Sequence, residues 1–230
     1  MFWIMMDNLQ LGVAMFAMII LAISLHEMAH AWMAHRCGDD TAAHMGRLTL
    51  NPVVHFDPVG LMFILFGFFG WGRPVEINPL RMRQQARDTM LTAAAGPASN
   101  LIQAIVLTIL YHIITTNFVM NFVESNSNLV GFWKGTHLVL IIGIYINLGL
   151  MFFNLIPLFP LDGEKILTYF LPYEASKKFD AFRQYSMQVL FLLLISDFII
   201  GFSILGTYFR LTIDPFCRLL IGYSPFHPYG

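Results

Sequence analysis

The sequence His-Glu-Met-Ala-His at residues 26–30 lies within an apolar run that begins at residue 11 and ends near residue 33. No charged residue occurs in this run before His26. A run of this length and composition is long enough to form a helix that spans a bilayer. On that helix His26 and His30 share one face, about 6 Å apart along the axis. Ionisable side chains inside a membrane are costly and by default functional. The chain is therefore constrained to fold with a polar site on a membrane helix.

The composition supports a membrane protein. Of the 230 residues, 57% are hydrophobic and 12% are charged, and the charged fraction is about half of that in a typical soluble domain. The net charge of −1 gives no basis for nucleic-acid binding. We expect one membrane-embedded domain over residues 1–210 and an interfacial C-terminal tail over residues 211–230.

Apolar segments of spanning length predict the number of membrane helices. Four such segments occur, at residues 11–36, 90–115, 137–158 and 185–209. The apolar run at residues 59–69 is too short to cross, which favours a re-entrant or short β-containing segment between the first and second spans. We therefore expect an all-α membrane protein, a polytopic helical bundle of about four transmembrane helices.

The distribution of basic residues predicts the orientation. Of the thirteen Lys and Arg residues, six lie between residues 36 and 87, four lie between residues 165 and 183, and three lie elsewhere. With both termini outside, ten are inside and three are outside, as the positive-inside rule requires. This places the His30 end of the first helix near the cytoplasm. We expect an integral protein of the cytoplasmic membrane with its site towards the cytoplasmic side.

His26 and His30 have the spacing of two zinc ligands on one helix. A catalytic zinc site also needs a third protein ligand and an open fourth position. Asp162 is the polar candidate at the end of another span, where Pro157 and Pro160 break the third apolar helix on the same side as His30. Asp162 could instead be a turn residue, since Asp-Gly is a common turn dipeptide. A His26, His30 and Asp162 set predicts one zinc ion per chain. Glu27 is then free to act as general base in peptide hydrolysis.

The chain resembles the site-2 protease family of intramembrane zinc metalloproteases. The matching motifs are His26-Glu27-x-x-His30, Gly96-Pro97-Ala98-Ser99-Asn100, and Asn154-x-x-Pro157 followed by Leu161-Asp162-Gly163. It is most similar to compact bacterial members, without a PDZ or CBS domain. The resemblance implies zinc on His26, His30 and Asp162, Glu27 as catalytic base, and a transmembrane substrate cleaved in regulated intramembrane proteolysis. It also implies a bacterial inner membrane.

Substrate-binding residues are predicted in two places. The resemblance favours Asn154 as a residue that orients the substrate backbone, although a buried Asn can simply bond its own helix. The segment that includes Val75, Glu76 and Ile77 could be an edge strand that holds an unwound substrate by main-chain pairing. An amphipathic connector is the alternative.

The close spacing of Gly96 and Asn100 predicts helix packing, because Gly-x-x-x-small spacing lets helices approach closely. We assign both residues to that role and not to the metal site.

A membrane metal-binding or transport protein could use the same His and Asp cluster. Transport requires ionisable residues spread along a path, whereas these ligands gather at one depth. A transporter also has no need of the base Glu27. The expected partners are a membrane-protein substrate and the lipid bilayer, while a regulatory membrane partner and a homo-oligomer both stay open.

Overall fold

The fold is a helical bundle, seen here in a computed structural model that describes residues 9–65 and 72–224. Two 3-10 turns, Pro52–His55 and Pro79–Arg81, accompany the α-helices. The helices are α1 (Leu9–Cys37), α2 (Thr41–His44), α3 (Pro58–Leu65), α4 (Gln85–Ile114), α5 (Asn117–Glu124), α6 (Ser127–Asn154), α7 (Asp162–Phe170), α8 (Tyr173–Arg183), α9 (Ser186–Ile200) and α10 (Ile204–Ile221).

Helices α1, α4 and α6 are each long and apolar enough to cross a membrane, with 29, 30 and 28 residues. Each pair among these three helices is in contact, so they form one bundle. In the described residues these are the three candidate spans. The sequence-based expectation of an all-α membrane protein is confirmed.

The fourth predicted span, residues 185–209, is interrupted. Gly201 adopts a left-handed φ of 65° and ends α9 after 15 residues, a conformation that glycine adopts without steric cost. A helix of that length covers about 22 Å, less than the ~30 Å hydrocarbon core. The chain continues as α10, and Ile204 N–H donates to Ser196 Oγ of α9. The apolar run is therefore divided into two helices, and the described structure has three candidate spans instead of four.

The predicted re-entrant or β-containing segment is described only in part. Residues 58–65 form α3, whereas residues 66–71 lie outside the described residues. The described residues contain no strand, and β-type pairing is limited to one isolated antiparallel bridge between Phe56 and Gly72. Apolar run length does not predict a bridge between residues so far apart in sequence.

The largest hydrophobic core lies between α4, α6 and α10. Fully buried members include Ala104, Ile144, Leu148, Ile213 and Cys217. Residues 211–221 thus continue α10 and pack on the bundle, whereas sequence analysis assigned them to an interfacial tail. The division of the chain at residue 210 stays a prediction.

The ends of two helices bring the polar residues together. Helix α1 ends at Cys37, where Gly38 takes a φ of 103°. Helix α6 ends at Asn154, shortly before Pro157 and Pro160, which cannot continue a helix. The chain then turns and begins α7 at Asp162. This turn carries Asp162 back to the two histidines of α1.

Candidate metal centre

Three buried side chains converge between α1 and the start of α7. The Nε2 atoms of His26 and His30 lie 3.0 Å apart, and Asp162 Oδ2 lies 3.3 Å from the first and 3.2 Å from the second. All three residues are buried, and their ligand atoms fall within 4.8 Å of one another. Sequence analysis predicted that these three residues form one site, and the structure brings them together.

The chemistry of these atoms fits a bound cation. His30 Nδ1 lies 2.7 Å from the main-chain oxygen of Thr92, an atom that can only accept, so Nδ1 carries a proton and, in the neutral ring, Nε2 keeps its lone pair. The Nδ1 atom of His26 lies 2.7 Å from Asn100 Oδ1. Asp162 Oδ2 is buried and accepts no hydrogen bond from the described residues. Three acceptors meet at one point, where only a positive charge, a proton or a metal ion, can satisfy them.

The local sequence around Asp162 explains its position. Asp162 lies in the first turn of α7, where a carboxylate interacts favourably with the helix dipole. A Cβ on Gly163 would lie 2.6 Å from the main-chain oxygen of Ile156, so only glycine lets the turn pack this closely. Burial raises the pKa of Asp162, but the facing His30 and His26 lower that pKa by more. The side chain is therefore an anion at neutral pH.

Helix α4 packs directly against the two histidines of the metal centre. A Cβ on Gly96 would lie 2.6 Å from His26 Cε1 and closer still to His30 Nε2. Asn100, fully buried one turn later, contacts His26 as described above. The packing interpretation therefore holds for Gly96, whereas Asn100 also orients a ligand. The signal that could have revealed Asn100 is a strongly polar side chain within an apolar span.

Glu27 does not join the three-residue cluster. Its Oε2 atom accepts a hydrogen bond of 3.1 Å from the main-chain N–H of Val75. The segment that contains Val75 is fixed on either side of this contact, because Arg73 N–H donates to His55 O at 2.8 Å and Asn78 N–H donates to Asp39 Oδ2 at 2.5 Å. Residues 73–78 thus run beside Glu27.

A cavity of about 780 Å³ opens in front of the cluster, a size within the usual range of ligand sites. Its polar lining includes Glu27 and Asn154, and Val75 and Ile77 also line it. The side-chain nitrogen of Asn154 donates to Leu150 O at 3.0 Å. Its side-chain oxygen stays available as an acceptor in the described structure. The remaining walls are mostly apolar and come from α1, α6, α9 and α10; they include Ile19, Ile23, Leu150, Leu190, Leu194 and Ile213.

Comparison with known proteins identifies this arrangement. The family model for peptidase family M50 matches residues 14–196, which include all three residues of the cluster. The chain belongs to peptidase family M50. This is the site-2 protease family, so the resemblance found in the motifs is confirmed.

Curated relatives of this M50 member carry metalloprotease names. The chain is 35% identical over 181 residues to the "Putative zinc metalloprotease YwhC" of Bacillus subtilis, covering 77% of this chain and 78% of the relative. It is 28% identical over 208 residues to the "Putative zinc metalloprotease Rip2" of Mycolicibacterium smegmatis, covering 84% and 73%. No solved structure shows significant similarity to the chain.

The family decides between the metals that the ligand set alone allows. Two histidines and one carboxylate suit zinc, and also non-haem iron. Membership of M50 and the names of the relatives support a zinc metalloendopeptidase. They do not favour the alternative of a membrane metal transporter. Together with the three apolar helices, they indicate an integral membrane zinc protease.

Proposed function

We propose that this M50 protease hydrolyses a peptide bond within or near a transmembrane segment of a membrane-protein substrate. The supporting observation is that His26 and His30 lie on a candidate membrane helix and that both line, with Asp162, a largely apolar cavity. An apolar cavity accommodates the side chains of a transmembrane segment without the cost of burying polar groups. The polar atoms that the chemistry requires line the same cavity.

His26, His30 and Asp162 would hold the zinc ion, and Glu27 would act as general base. Zinc, when bound, polarises the substrate carbonyl and makes water more acidic. Glu27 has one oxygen, Oε2, held by Val75 N–H, which leaves Oε1 to take the proton from the attacking water. The same carboxyl group can later donate that proton to the leaving amine.

We propose that the substrate backbone is held by Asn154 and by the segment Val75, Glu76 and Ile77. A peptide bond in a helix is inaccessible because its N–H and C=O groups are already hydrogen-bonded to other main-chain groups of the same helix. The substrate must therefore be held unwound. Residues 73–78 are fixed by Asp39 and His55 and border the cavity through Val75 and Ile77. Such a segment can offer main-chain groups to an extended peptide.

The distribution of charge and the source of the relatives both support a proposal for the membrane and for the orientation of the protein in it. With three candidate spans, Lys134 is the one basic residue of the thirteen that falls on the side opposite the His30 end of α1, and this distribution supports a cluster on the cytoplasmic side. The two curated relatives come from bacteria, which supports the bacterial cytoplasmic membrane as the location. We propose that cleavage there is one step of regulated intramembrane proteolysis.

Co-expression with candidate single-span membrane proteins tests the function. The wild type should yield peptides cut within or next to the transmembrane segment, as detected by mass spectrometry. Glu27→Gln should keep its zinc and reduce cleavage by about 10²- to 10⁴-fold, the usual contribution of a general base.

Glu124→Gln is the matched control, because it also removes a carboxylate but lies in α5, after the second span. It should cleave at the wild-type rate. Cleavage by Glu27→Gln at the wild-type rate would contradict the proposed role, and products cut only in soluble domains would contradict the intramembrane site.

A further inference from the structure

Two buried asparagines connect a metal ligand to a helix that bears no ligand. Asn100 of α4 is fully buried, and Asn147 of α6 is 2% exposed. The side-chain nitrogen of Asn100 donates to Asn147 Oδ1 at 2.9 Å, and Asn100 Oδ1 lies 2.7 Å from His26 Nδ1. The three side chains thus form one chain of hydrogen bonds from α6 through α4 to α1.

The direction of every hydrogen bond in this chain is determined at its far end. Asn147 Nδ2 lies 2.9 Å from the main-chain oxygen of Gly143, which can only accept, so the amide nitrogen of Asn147 must face it and Oδ1 must face Asn100. Asn100 consequently donates to Asn147 and turns its own Oδ1 to His26. A weaker contact of 3.4 Å from Asn100 Nδ2 to Ala22 O has the same sense.

The chain of hydrogen bonds ends at the metal ligand His26 and determines which of its ring nitrogens carries the proton. Because Asn100 Oδ1 accepts, the proton of His26 lies on Nδ1 and the lone pair of Nε2 points to His30 and Asp162. His30 reaches the same state differently, through the main-chain oxygen of Thr92. The orientation of His30 is therefore independent of side-chain identity, whereas that of His26 depends on two side chains.

The location of Asn147 also favours a specific role over simple packing. An amide group buried in a membrane span is costly unless it is fully bonded. Bonding within α6 through Gly143 would satisfy only its nitrogen, and its oxygen is satisfied across helices by Asn100. We propose that Asn147 is a positioning residue for zinc binding, which acts through Asn100 to fix the tautomer and ring orientation of His26.

This inference rests on the zinc site of the proposed function, and zinc affinity measured by chelator competition tests it without any substrate. Asn147→Leu should weaken zinc binding by about 10-fold or more, within the 10- to 100-fold range known for residues that orient metal ligands. Asn100→Leu should weaken it at least as much. The double variant should be no weaker than Asn100→Leu alone, because both changes interrupt one chain.

Testing Asn147→Leu in the Asn100→Asp variant distinguishes a positioning role of Asn147 from a general loss of structure. In Asn100→Asp one carboxylate oxygen accepts from His26 Nδ1 whatever the residue at position 147, and the other oxygen faces Asn147 Oδ1, which is also an acceptor. Asn100→Asp should therefore bind zinc within a few-fold of wild type, and adding Asn147→Leu, which removes the facing acceptor, should not weaken zinc binding further. Thr108→Val removes one buried hydrogen bond of α4, to Ala104 O, and should leave zinc affinity unchanged.

The outcomes that overturn the inference are distinct from failure of the function. Wild-type zinc affinity in Asn147→Leu would remove Asn147 from the site while leaving the three ligands in place. An equal loss caused by Asn147→Leu in the wild-type and Asn100→Asp backgrounds would show a structural role only. A wild-type protein that binds no zinc would overturn both this inference and the proposed function.

Discussion

Glu27 Oε2 and the main-chain N–H of Val75 are joined by a hydrogen bond of 3.1 Å. This contact links the helix that carries the two histidines to the segment proposed to hold the substrate. One oxygen of Glu27, the proposed base, is thereby held in position, and Glu27 lines the cavity. A movement of either the proposed base or the proposed docking segment would therefore strain this hydrogen bond.

Removing the main-chain donor tests the role of this hydrogen bond. Val75→Pro deletes the N–H that bonds Glu27, and a hydrogen bond to a charged group contributes about 1.5–3 kcal/mol. We predict that cleavage falls roughly 10- to 100-fold while zinc content stays at the wild-type level. Ile77→Pro should also reduce cleavage, because it removes a donor next to the cavity.

Alanine at the same two positions is the control for the proline variants. Val75→Ala and Ile77→Ala keep both N–H groups and should retain most of the activity. Proline variants that fold, bind zinc and cleave substrate at the wild-type rate would contradict the proposal that this segment docks the substrate.

Gly96 tests the packing of α4 against the ligands. Because a Cβ there would collide with both imidazoles, Gly96→Ala should displace them at a cost of roughly 1–3 kcal/mol and weaken zinc binding about tenfold or more. Gly131→Ala is the matched control, since among the described residues its added Cβ would meet no heavy atom within 4 Å beyond its own stretch of helix. Equal zinc affinity for both variants, measured by chelator competition, would contradict the close approach.

Asp39 anchors the other end of the docking segment. Burial raises the pKa of this carboxyl, but hydrogen bonds from Thr41 Oγ1, Asn78 N–H and Thr41 N–H lower that pKa by more. The stability that Asp39 contributes is therefore fully present above the ordinary Asp pKa of about 3.9 and is lost as pH falls through its lower native pKa.

Asp39→Asn should accordingly destabilise the protein by about 1–3 kcal/mol at pH 7. The difference from wild type should shrink as the pH is lowered below about 4. Thermal unfolding in detergent across this range measures it, with Asp180→Asn, an exposed carboxylate of α8, as control. A difference that is constant with pH would exclude the ionised carboxylate as its cause.

The metal ligands could be predicted because their chemistry is local in sequence. His26 and His30 lie one helical turn apart, and Asp162 follows two prolines that end a helix. The roles of Asn100 and Asn147 could not be predicted, because their contacts join residues 47 and 74 positions apart. Such pairings depend on how three helices are rotated against each other.

The number of spans shows a second limit of sequence reasoning. Residues 185–209 are apolar throughout most of their length, so hydropathy predicts one helix. A single glycine in the left-handed conformation, Gly201, divides them into α9 and α10. Hydropathy measures the affinity of a segment for lipid, and it carries little information on a turn that tertiary packing stabilises, such as the contact of Ser196 with Ile204.

Zinc stoichiometry of the purified protein tests the account most directly, because it needs no knowledge of the substrate. After equilibration with zinc at neutral pH and removal of excess metal, the wild type and Glu27→Gln are predicted to retain one zinc ion per chain. His26→Ala and Asp162→Ala are predicted to retain almost none, since each removes one of three ligands. A wild-type protein without zinc, or an Asp162→Ala variant with as much zinc as wild type, would contradict the account.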